Sequence, residues 1–277
     1  MTQGTGTYYD RLSRWTAVAR LLGYGGGRDT LTVHRSLADP TIGGKPTPTR
    51  LHDLLVESLP PLQSPRVLDA GCGLGGTLLH LASSLGGTFT GLTLSEQQAR
   101  IARGAASRAG LQDRIDIQVR SYDAPPDQHF DLIVAIESLA HSPDPATSVR
   151  ALASRLAPGG IMAIVDDKPE PEARGSRDLE VFKSGWRLPV LWGSRHYHEA
   201  LQEQGLTPIA NHDLTPHLRP RSLGQIRRLE LLNRLVHRIV PFEGLRAMLD
   251  SYHGGLALER LYRQALMKYR LLIAQRP

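Results

Sequence analysis

The stretch Val67-Leu68-Asp69-Ala70-Gly71-Cys72-Gly73-Leu74-Gly75-Gly76-Thr77 decides the fold. An apolar run ends on an acid, breaks into a glycine-rich turn and gives way, from Leu78, to an apolar helical pattern. This reads as a buried strand, a tight turn and the start of a helix. Glycine at Gly71 and Gly73 lets the main chain take positive φ and lets a ligand approach closely. The helix start behind the turn offers unpaired N–H groups to a polar ligand.

The same letters satisfy the dinucleotide pattern G-x-G-x-x-G through Gly71, Gly73 and Gly76. A dinucleotide site expects an acid roughly 20 residues further on, at the end of the second strand, to hold a ribose. Here the second strand reads Thr88-Phe89-Thr90-Gly91-Leu92-Thr93-Leu94-Ser95 and ends on hydroxyls, whereas the acid, Asp69, sits inside the first turn.

Outward from this turn, apolar runs alternate with helical patterns. The expected strands are Val67–Ala70, Thr88–Leu92, Ile115–Val119, Phe130–Ile136 and Ile161–Asp166, with helices at Leu78–Leu85, Ser95–Ala109 and Ala146–Leu156, the last stopped by Pro158-Gly159-Gly160. Alternation of this kind gives a mostly parallel sheet with helices on both faces. Right-handed crossovers place its ligand crevice at the carboxyl ends of the strands.

Before the turn, helices are expected from Tyr8 to Leu22, ended by Gly23–Gly27, and from Thr49 to Leu59, stopped by Pro60-Pro61. Beyond Asp167 the pattern loosens through Lys168–Gly193. Ser194–Gln204 then reads as a helix, Leu206–Ala210 as a strand, Gln225–Val240 as a basic helix, Leu245–Ala265 as a helix broken at Gly254-Gly255, and Met267–Ala274 as a last strand. A helical insertion between the last two strands makes one strand antiparallel at the sheet's edge. The expected architecture is α/β: a Rossmann-like doubly wound sheet, mostly parallel with an antiparallel edge strand, plus helical caps. Residues 1–60 form an N-terminal helical cap, 61–167 the cofactor-binding core, and 168–277 the remaining strands with substrate-cap insertions.

Composition narrows the function classes. The 277 residues carry a net charge of +6, but only 5% are aromatic and no basic stripe is interleaved with aromatics. A nucleic-acid partner is therefore not expected. No run approaches the ~20 apolar residues of a membrane span, and no N-terminal segment has secretory character. A single cysteine, Cys72, excludes an internal disulfide and suits a reducing, cytoplasmic setting. His196 and His198 lack the companions of a metal site, so no metal is expected. The sequence leaves the oligomeric state open, a homodimer included.

The phrase V-L-D-A-G-C-G-x-G-G resembles the first motif of the class I S-adenosylmethionine-dependent methyltransferases. Gly91-Leu92-Thr93-Leu94-Ser95-Glu96-Gln97-Gln98 resembles the G-I/V-T-L/I-S-x-x-Q stretch of one branch, which includes sterol, tocopherol and prenyl diphosphate C-methyltransferases, cyclopropane fatty acid synthases and some small-molecule N-methyltransferases. Phe130-Asp131 through Glu137, His141, Pro143 and Asp144 is similar to the F-D-x-V-x-x-x-E-x-x-x-H-x-P-D phrase of the sterol and tocopherol members. The W-G-x-H-x-H-G phrase of the tocopherol branch is absent. The resemblance covers residues 66–166 well and the rest by architecture.

This resemblance implies S-adenosylmethionine as cofactor, held by Asp69, Gly71, Cys72, Gly73 and Gly75, with Thr93, Leu94 and Gln98 at the ribose, Tyr122 and Asp123 at the adenine, and Ile136 beside them. Plainer readings stand alongside: Ser95 and Gln98 also make a capping box, Cys72 suits a packed turn, and Tyr122 either stacks on the base or packs on the fold. A carboxylate at the buried end of a strand needs a partner or a task. Glu137, with His141 four residues on, is the expected catalytic pair that takes up a proton or faces a developing cation, the alternative being a structural hydrogen bond. Tyr8, Tyr9, Trp186, Trp192, Tyr197 and Tyr262 are candidates for the substrate wall, or members of a satellite core. Arg219, Arg221, Arg227 and Arg228 could hold a diphosphate or a lipid surface, or form a solvated helix face. The implied partner is a small, apolar molecule, an isoprenoid, prenyl diphosphate or lipid, methylated on carbon. N- or O-methylation of a small molecule and a non-catalytic cofactor-binding subunit are the alternatives, and peripheral membrane contact is compatible with the arginines.

Overall fold

The computed structural model describes residues 31–41 and 44–277. Tyr8, Tyr9 and the helix expected around them lie outside the described residues. Seven strands form one sheet: β1 (Arg66–Ala70), β2 (Thr88–Thr93), β3 (Ile115–Val119), β4 (Phe130–Ile136), β5 (Leu156–Pro169), β6 (Thr207–Asp213) and β7 (Met267–Gln275). Their order is β3-β2-β1-β4-β5-β7-β6. β1 through β5 pair in parallel, and β7 runs antiparallel to both β5 and β6. The chain changes direction across the sheet between β1 and β4, which opens a crevice at their carboxyl ends.

The expected fold class therefore holds, and the edge pairing is antiparallel. The antiparallel strand itself, β7, lies one place inside the edge, with β6 outermost. β1 is buried from Val67 to Ala70, on both sides, because both faces of a parallel strand are covered. Val67, Leu132, Ala163 and Ile273 point to one face, while Leu68, Ile133, Ile164 and Leu272 point to the other.

Eight α-helices cover the sheet among the described residues. On the first face lie α1 (Arg50–Ser58), α2 (Gly76–Ser84), α3 (Glu96–Arg108), α5 (Arg177–Trp186) and α8 (Glu243–Arg263), and on the second α4 (Pro145–Ala153) and α6 (Ser194–Glu203). α7 (Leu223–Ile239) packs on α8, with Asn233 Nδ2 donating to the Leu249 carbonyl at 3.1 Å. The helix starts follow local chemistry. Ser95, Asp144, Ser176 and Ser222 each accept from a main-chain N–H in the first turn, and Ser222 with Gln225 completes a capping box.

Three local expectations are corrected. α5 falls in the stretch read as loose; Ser176 caps it, and Leu179, Phe182 and Trp186 recur at helical spacing on its inner side. α8 runs unbroken through Gly254-Gly255. A Cβ on Gly254 would lie 3.0 Å from Trp186 Cδ1 and 3.2 Å from Gly185 Cα, so this glycine serves close helix approach rather than a break. Pro158-Gly159-Gly160 lies inside β5, where the β4–β5 register slips between the Phe130↔Leu156 and Leu132↔Ile161 pairs.

Candidate active site

The expected cofactor end is built from main chain. Gly71, Gly73 and Gly75 take φ of 114°, 52° and 87°. A Cβ on Gly71 would fall 2.5 Å from Ser138 Cβ, so only glycine brings the β1 turn this close to the end of β4. Gly75 occupies the cap position of α2 in a left-handed conformation. Cys72 donates its N–H to the Leu92 carbonyl at 2.8 Å, and its thiol is buried, which pushes its pKa up. It is the packed turn residue of the plainer reading.

Asp69 is the one charged group in this loop. It is 2% exposed, and its Oδ2 has no hydrogen-bond partner. Burial alone raises its pKa to about 7. At the next strand end, Thr93 Oγ1 donates to Gln98 Oε1 at 2.7 Å, and Ser95 Oγ accepts from Gln98 N at 3.1 Å. Ser95 caps the helix, but the expected capping box is only half formed: Gln98 Oε1 accepts from Thr93 Oγ1, and Ser95 N donates to Thr93 Oγ1 at 3.2 Å. Leu94 forms the half-buried corner between them, and Ile136 is buried at the end of β4. An orphaned buried carboxylate, a main-chain cradle and a hydroxyl–amide pair together fit a cationic adenosyl sulfonium.

Tyr122 and Asp123 serve the fold in part. Tyr122 Oη donates to the Ser138 carbonyl at 3.3 Å and packs against the second-face core. Asp123 is exposed and accepts from Ser148 Oγ at 2.5 Å and Ser121 Oγ at 3.2 Å, which ties the β3 loop to α4.

The other end of the crevice, around Glu137, is built from side chains. Glu137 follows β4 with φ of 49°, a left-handed conformation uncommon for a residue bearing a side chain. Its Oε1 meets Arg35 Nη1 at 2.7 Å, Arg35 N at 3.1 Å and Tyr269 Oη at 2.7 Å. Burial would raise the Glu137 pKa; Arg35, His34 and the Tyr269 hydrogen bond outweigh it and hold the carboxyl below its ordinary value. The other arm of Arg35, Nη2, meets Asp167 Oδ2 at 2.7 Å. Tyr262 donates to Asp167 Oδ1. The guanidinium stands 5.4 Å from the centre of the Tyr269 ring and 6.0 Å from that of Tyr262. Burial lifts Asp167 to about 7, Arg35 opposing.

Arg35 arrives on a segment that crosses the site. Leu37 bridges Thr47, and Ala38 N donates to the His217 carbonyl at 2.8 Å. His34 Nδ1 faces the Arg35 carbonyl at 3.0 Å; a carbonyl only accepts, so Nδ1 carries the proton. In the neutral ring Nε2 is then the acceptor, and His52 Nε2, 2.7 Å away, is the donor. Burial lowers both imidazoles, His52 to about 2, and keeps the pair neutral.

A cavity of about 350 Å³ opens beside Glu137. His34, Arg35, Trp186 and Tyr262 line it, and Arg219, Arg221 and Glu259 close its far side. Of the expected wall residues, Trp186 and Tyr262 are there. Trp192 and Tyr197 are not: they meet edge to face at 5.2 Å in the core on the other side of the sheet, with Tyr197 1% exposed. The satellite-core alternative describes them, because α6 packs behind β5 rather than over the crevice. His141 ends a short 3-10 turn, Leu139–His141, and burial lowers its pKa to about 4 against the pull of Glu137. The hydrogen bonds described for Glu137 run to Arg35 and Tyr269.

Arg35, Asp167 and Tyr269 went unread in the sequence. Asp167 carried the same signal as Glu137, an acid closing a buried apolar strand. Tyr269 faces the site from β7 by simple alternation, and Arg35 carried no signal, since its neighbours are far away in the chain. No set of metal-ligating side chains occurs among the described residues.

Residues 46–211 match the model of a family described as a methyltransferase domain. The chain belongs to that family. S-adenosylmethionine is accordingly its cofactor. The chain is 34% identical over 176 residues to 27-O-demethylrifamycin SV methyltransferase of Amycolatopsis mediterranei (strain S699), covering 62% of this chain and 65% of that protein. The match thus spans just under two thirds of the relative's length. Among solved structures, the 4+2 cyclase SpnF superposes with a TM-score of 0.78 at 22% identity, over 100% of this chain and 97% of that one. A geranyl diphosphate methyltransferase in complex with GPP and sinefungin superposes with a TM-score of 0.75 at 20% identity, over 100% and 99%. At these identities the two structures speak for the fold alone.

Proposed function

We propose that this methyltransferase-family chain methylates an oxygen of a largely apolar small molecule seated in the cavity beside Glu137. The observation that carries this reading is the Arg35 bridge between Glu137 and Asp167. Arg35 meets both carboxylates at 2.7 Å, but Glu137 also accepts from Arg35 N and Tyr269 Oη, which with Arg35 hold its pKa below the ordinary value and make it a poor proton acceptor and no free anion for a carbocation. Burial raises the Asp167 pKa toward the range of a general base, and Asp167 takes the hydrogen bond of Tyr262, which lines the cavity. A substrate hydroxyl can pass its proton to the Tyr262 oxygen as the Tyr262 proton moves to Asp167 Oδ1. The acceptor oxygen is thereby freed for attack, and Asp167 becomes neutral. Bound S-adenosylmethionine supplies an electrophilic sulfonium methyl. The protein's task is to orient the acceptor, exclude water and remove this proton.

The rifamycin relative, named for an O-methylation, supports this choice. Carbon methylation of a prenyl diphosphate is the second reading, favoured by the geranyl diphosphate neighbour. Against it, Arg221 Nη1 already meets Glu259 at 2.5 Å, and Arg219 Nη1 donates to the Pro216 and Leu218 carbonyls. A diphosphate would have to displace these contacts. Arg227 and Arg228 lie on an exposed helix face.

The test is turnover with methyl-labelled cofactor on a hydroxylated naphthalene, a macrolactone alcohol and geranyl diphosphate. Product structure then separates the readings. An O-methyl product is expected, with Asp167→Asn and Tyr262→Phe lowering kcat about 100-fold at little change in KM and flattening the pH profile near 7. A C-methyl product would overturn the oxygen assignment. Cofactor binding without turnover on any acceptor would favour a non-catalytic cofactor-binding subunit, or another reaction on this fold.

A further inference from the structure

One surface of the cap is unused by this chemistry. α7 buries Ile226 and Asn233 against the molecule. At 3.6 residues per turn, its opposite side presents Leu231, Leu235 and Ile239 in a row, with Leu232 beside them and Phe242 continuing the row past the helix end. All are exposed, Ile239 at 79% and Phe242 at 66%. Arg227, Arg234 and Arg238 form a parallel exposed row along one flank, and Arg228 lies on the apolar stripe. The single acid of α7, Glu230, turns inward to Arg260. With Glu230 turned inward, α7 has no carboxylate on its outward face; the nearby exposed acids are Asp250 of α8, which meets His237 Nε2 at 3.1 Å, and Glu243, which follows Phe242.

We propose that α7 is an interfacial helix that docks this protein on an anionic lipid surface. Long aliphatic side chains beside a row of arginines are the pattern by which a helix lies in a bilayer interface, apolar side down and guanidinium groups at the phosphates. Charge selects this occupant. A second copy docked through the same stripe would oppose arginine to arginine. Residues 1–30 are themselves basic, with Arg11, Arg14, Arg20 and Arg28 against Asp10 and Asp29.

Position ties the surface to the site. Arg219, Pro220 and Arg221 line the cavity immediately before the α7 cap Ser222, and α8, which carries α7, contributes Tyr252, Leu256 and Glu259 to it. Docking would bring the cavity to the lipid phase from which an apolar acceptor is drawn. The choice of acceptor rests on the proposed function, whereas the docking itself does not.

The full chain is sedimented with vesicles of phosphatidylcholine alone and of phosphatidylcholine mixed with phosphatidylglycerol. Binding is expected to the mixed vesicles, to fall with added salt, and to be weak on phosphatidylcholine. Ile239→Gln combined with Leu235→Gln should abolish it, and Arg234→Gln or Arg238→Gln should each weaken it about five-fold. Cofactor affinity and thermal melting should stay unchanged, because every substituted side chain is exposed. Three results would overturn the proposal: no binding to anionic vesicles at low salt, undiminished binding by the variants, or a dimer in size-exclusion chromatography that Ile239→Gln dissolves. Vesicle binding is read without turnover, so its outcome is independent of the methyl acceptor.

Discussion

The two ends of the site are made of different material. The expected cofactor end consists of main chain bent through Gly71, Gly73 and Gly75, with one buried carboxylate that has an unmatched oxygen. The end around Glu137 is a closed set of charged and phenolic side chains, in which Arg35, Glu137, Asp167, Tyr262 and Tyr269 satisfy one another. The first end stores a cost that a cationic ligand relieves. The second holds separate pieces of the chain together before any ligand arrives. Binding and stability should therefore respond in opposite ways to changes at the two ends.

The largest effect is expected at Arg35. Arg35→Met leaves two carboxylates buried without their cation, and breaking such a pair costs ~3–5 kcal/mol in a dry interior. Because 21% of the Arg35 side chain is exposed, a loss of about 2–3 kcal/mol is expected. Urea denaturation measures it, while calorimetric titration should show cofactor affinity within a few-fold of the parent. Loss of cofactor binding with stability intact would erase the contrast.

Asp69→Asn should do the reverse. Cofactor affinity should fall at least tenfold, and stability at pH 8 should hold or rise. The sign follows from the shift. The folded pKa of about 7 exceeds the ordinary 3.8, so the folded state binds the proton more tightly and is penalised as pH rises through that interval. A positively charged ligand needs the ionised form. Affinity of the parent should thus climb as pH rises through about 7, with proton release on binding below that point, and Asp69→Asn should lose this dependence. Titration calorimetry in buffers of different ionisation enthalpy reads both.

The smallest effect is expected at Tyr269→Phe, which removes one hydrogen bond from Glu137 and keeps the ring. A cost of about 1–2 kcal/mol is expected, with the Glu137 pKa rising toward its ordinary value. Thermal melting checks the first, and the acid limb of stability, shifted to higher pH, checks the second.

The same difference explains what could be read in advance. Asp69, the glycines, Thr93 and Gln98 lie within 30 residues of one another, and strand, turn and cap each leave a local mark. β1 to β4 were expected within about a residue of where they lie. The Glu137 network joins positions 35, 137, 167, 262 and 269, and no local periodicity connects them. Glu137 itself was visible because a lone acid closes an apolar strand. Asp167 offered the same mark, one position past the strand end assigned to Ile161–Asp166. Trp192 and Tyr197 were misplaced because an aromatic cluster in sequence does not say which face of the sheet its helix will cover. Gly254-Gly255 misled for a related reason: glycine marks both a break and a close approach, and only the partner helix tells them apart.

The place of β7 has a consequence for how the protein is made. It lies between β5 and β6, though it is translated after both. Chains fold largely from the N-terminus while they emerge from the ribosome. β6 can find no neighbour in the sheet until β7 is released, and Glu137 cannot receive the Tyr269 phenol before then. The nascent chain can thus form its donor cradle early, while the acceptor side is completed only when synthesis has passed that strand.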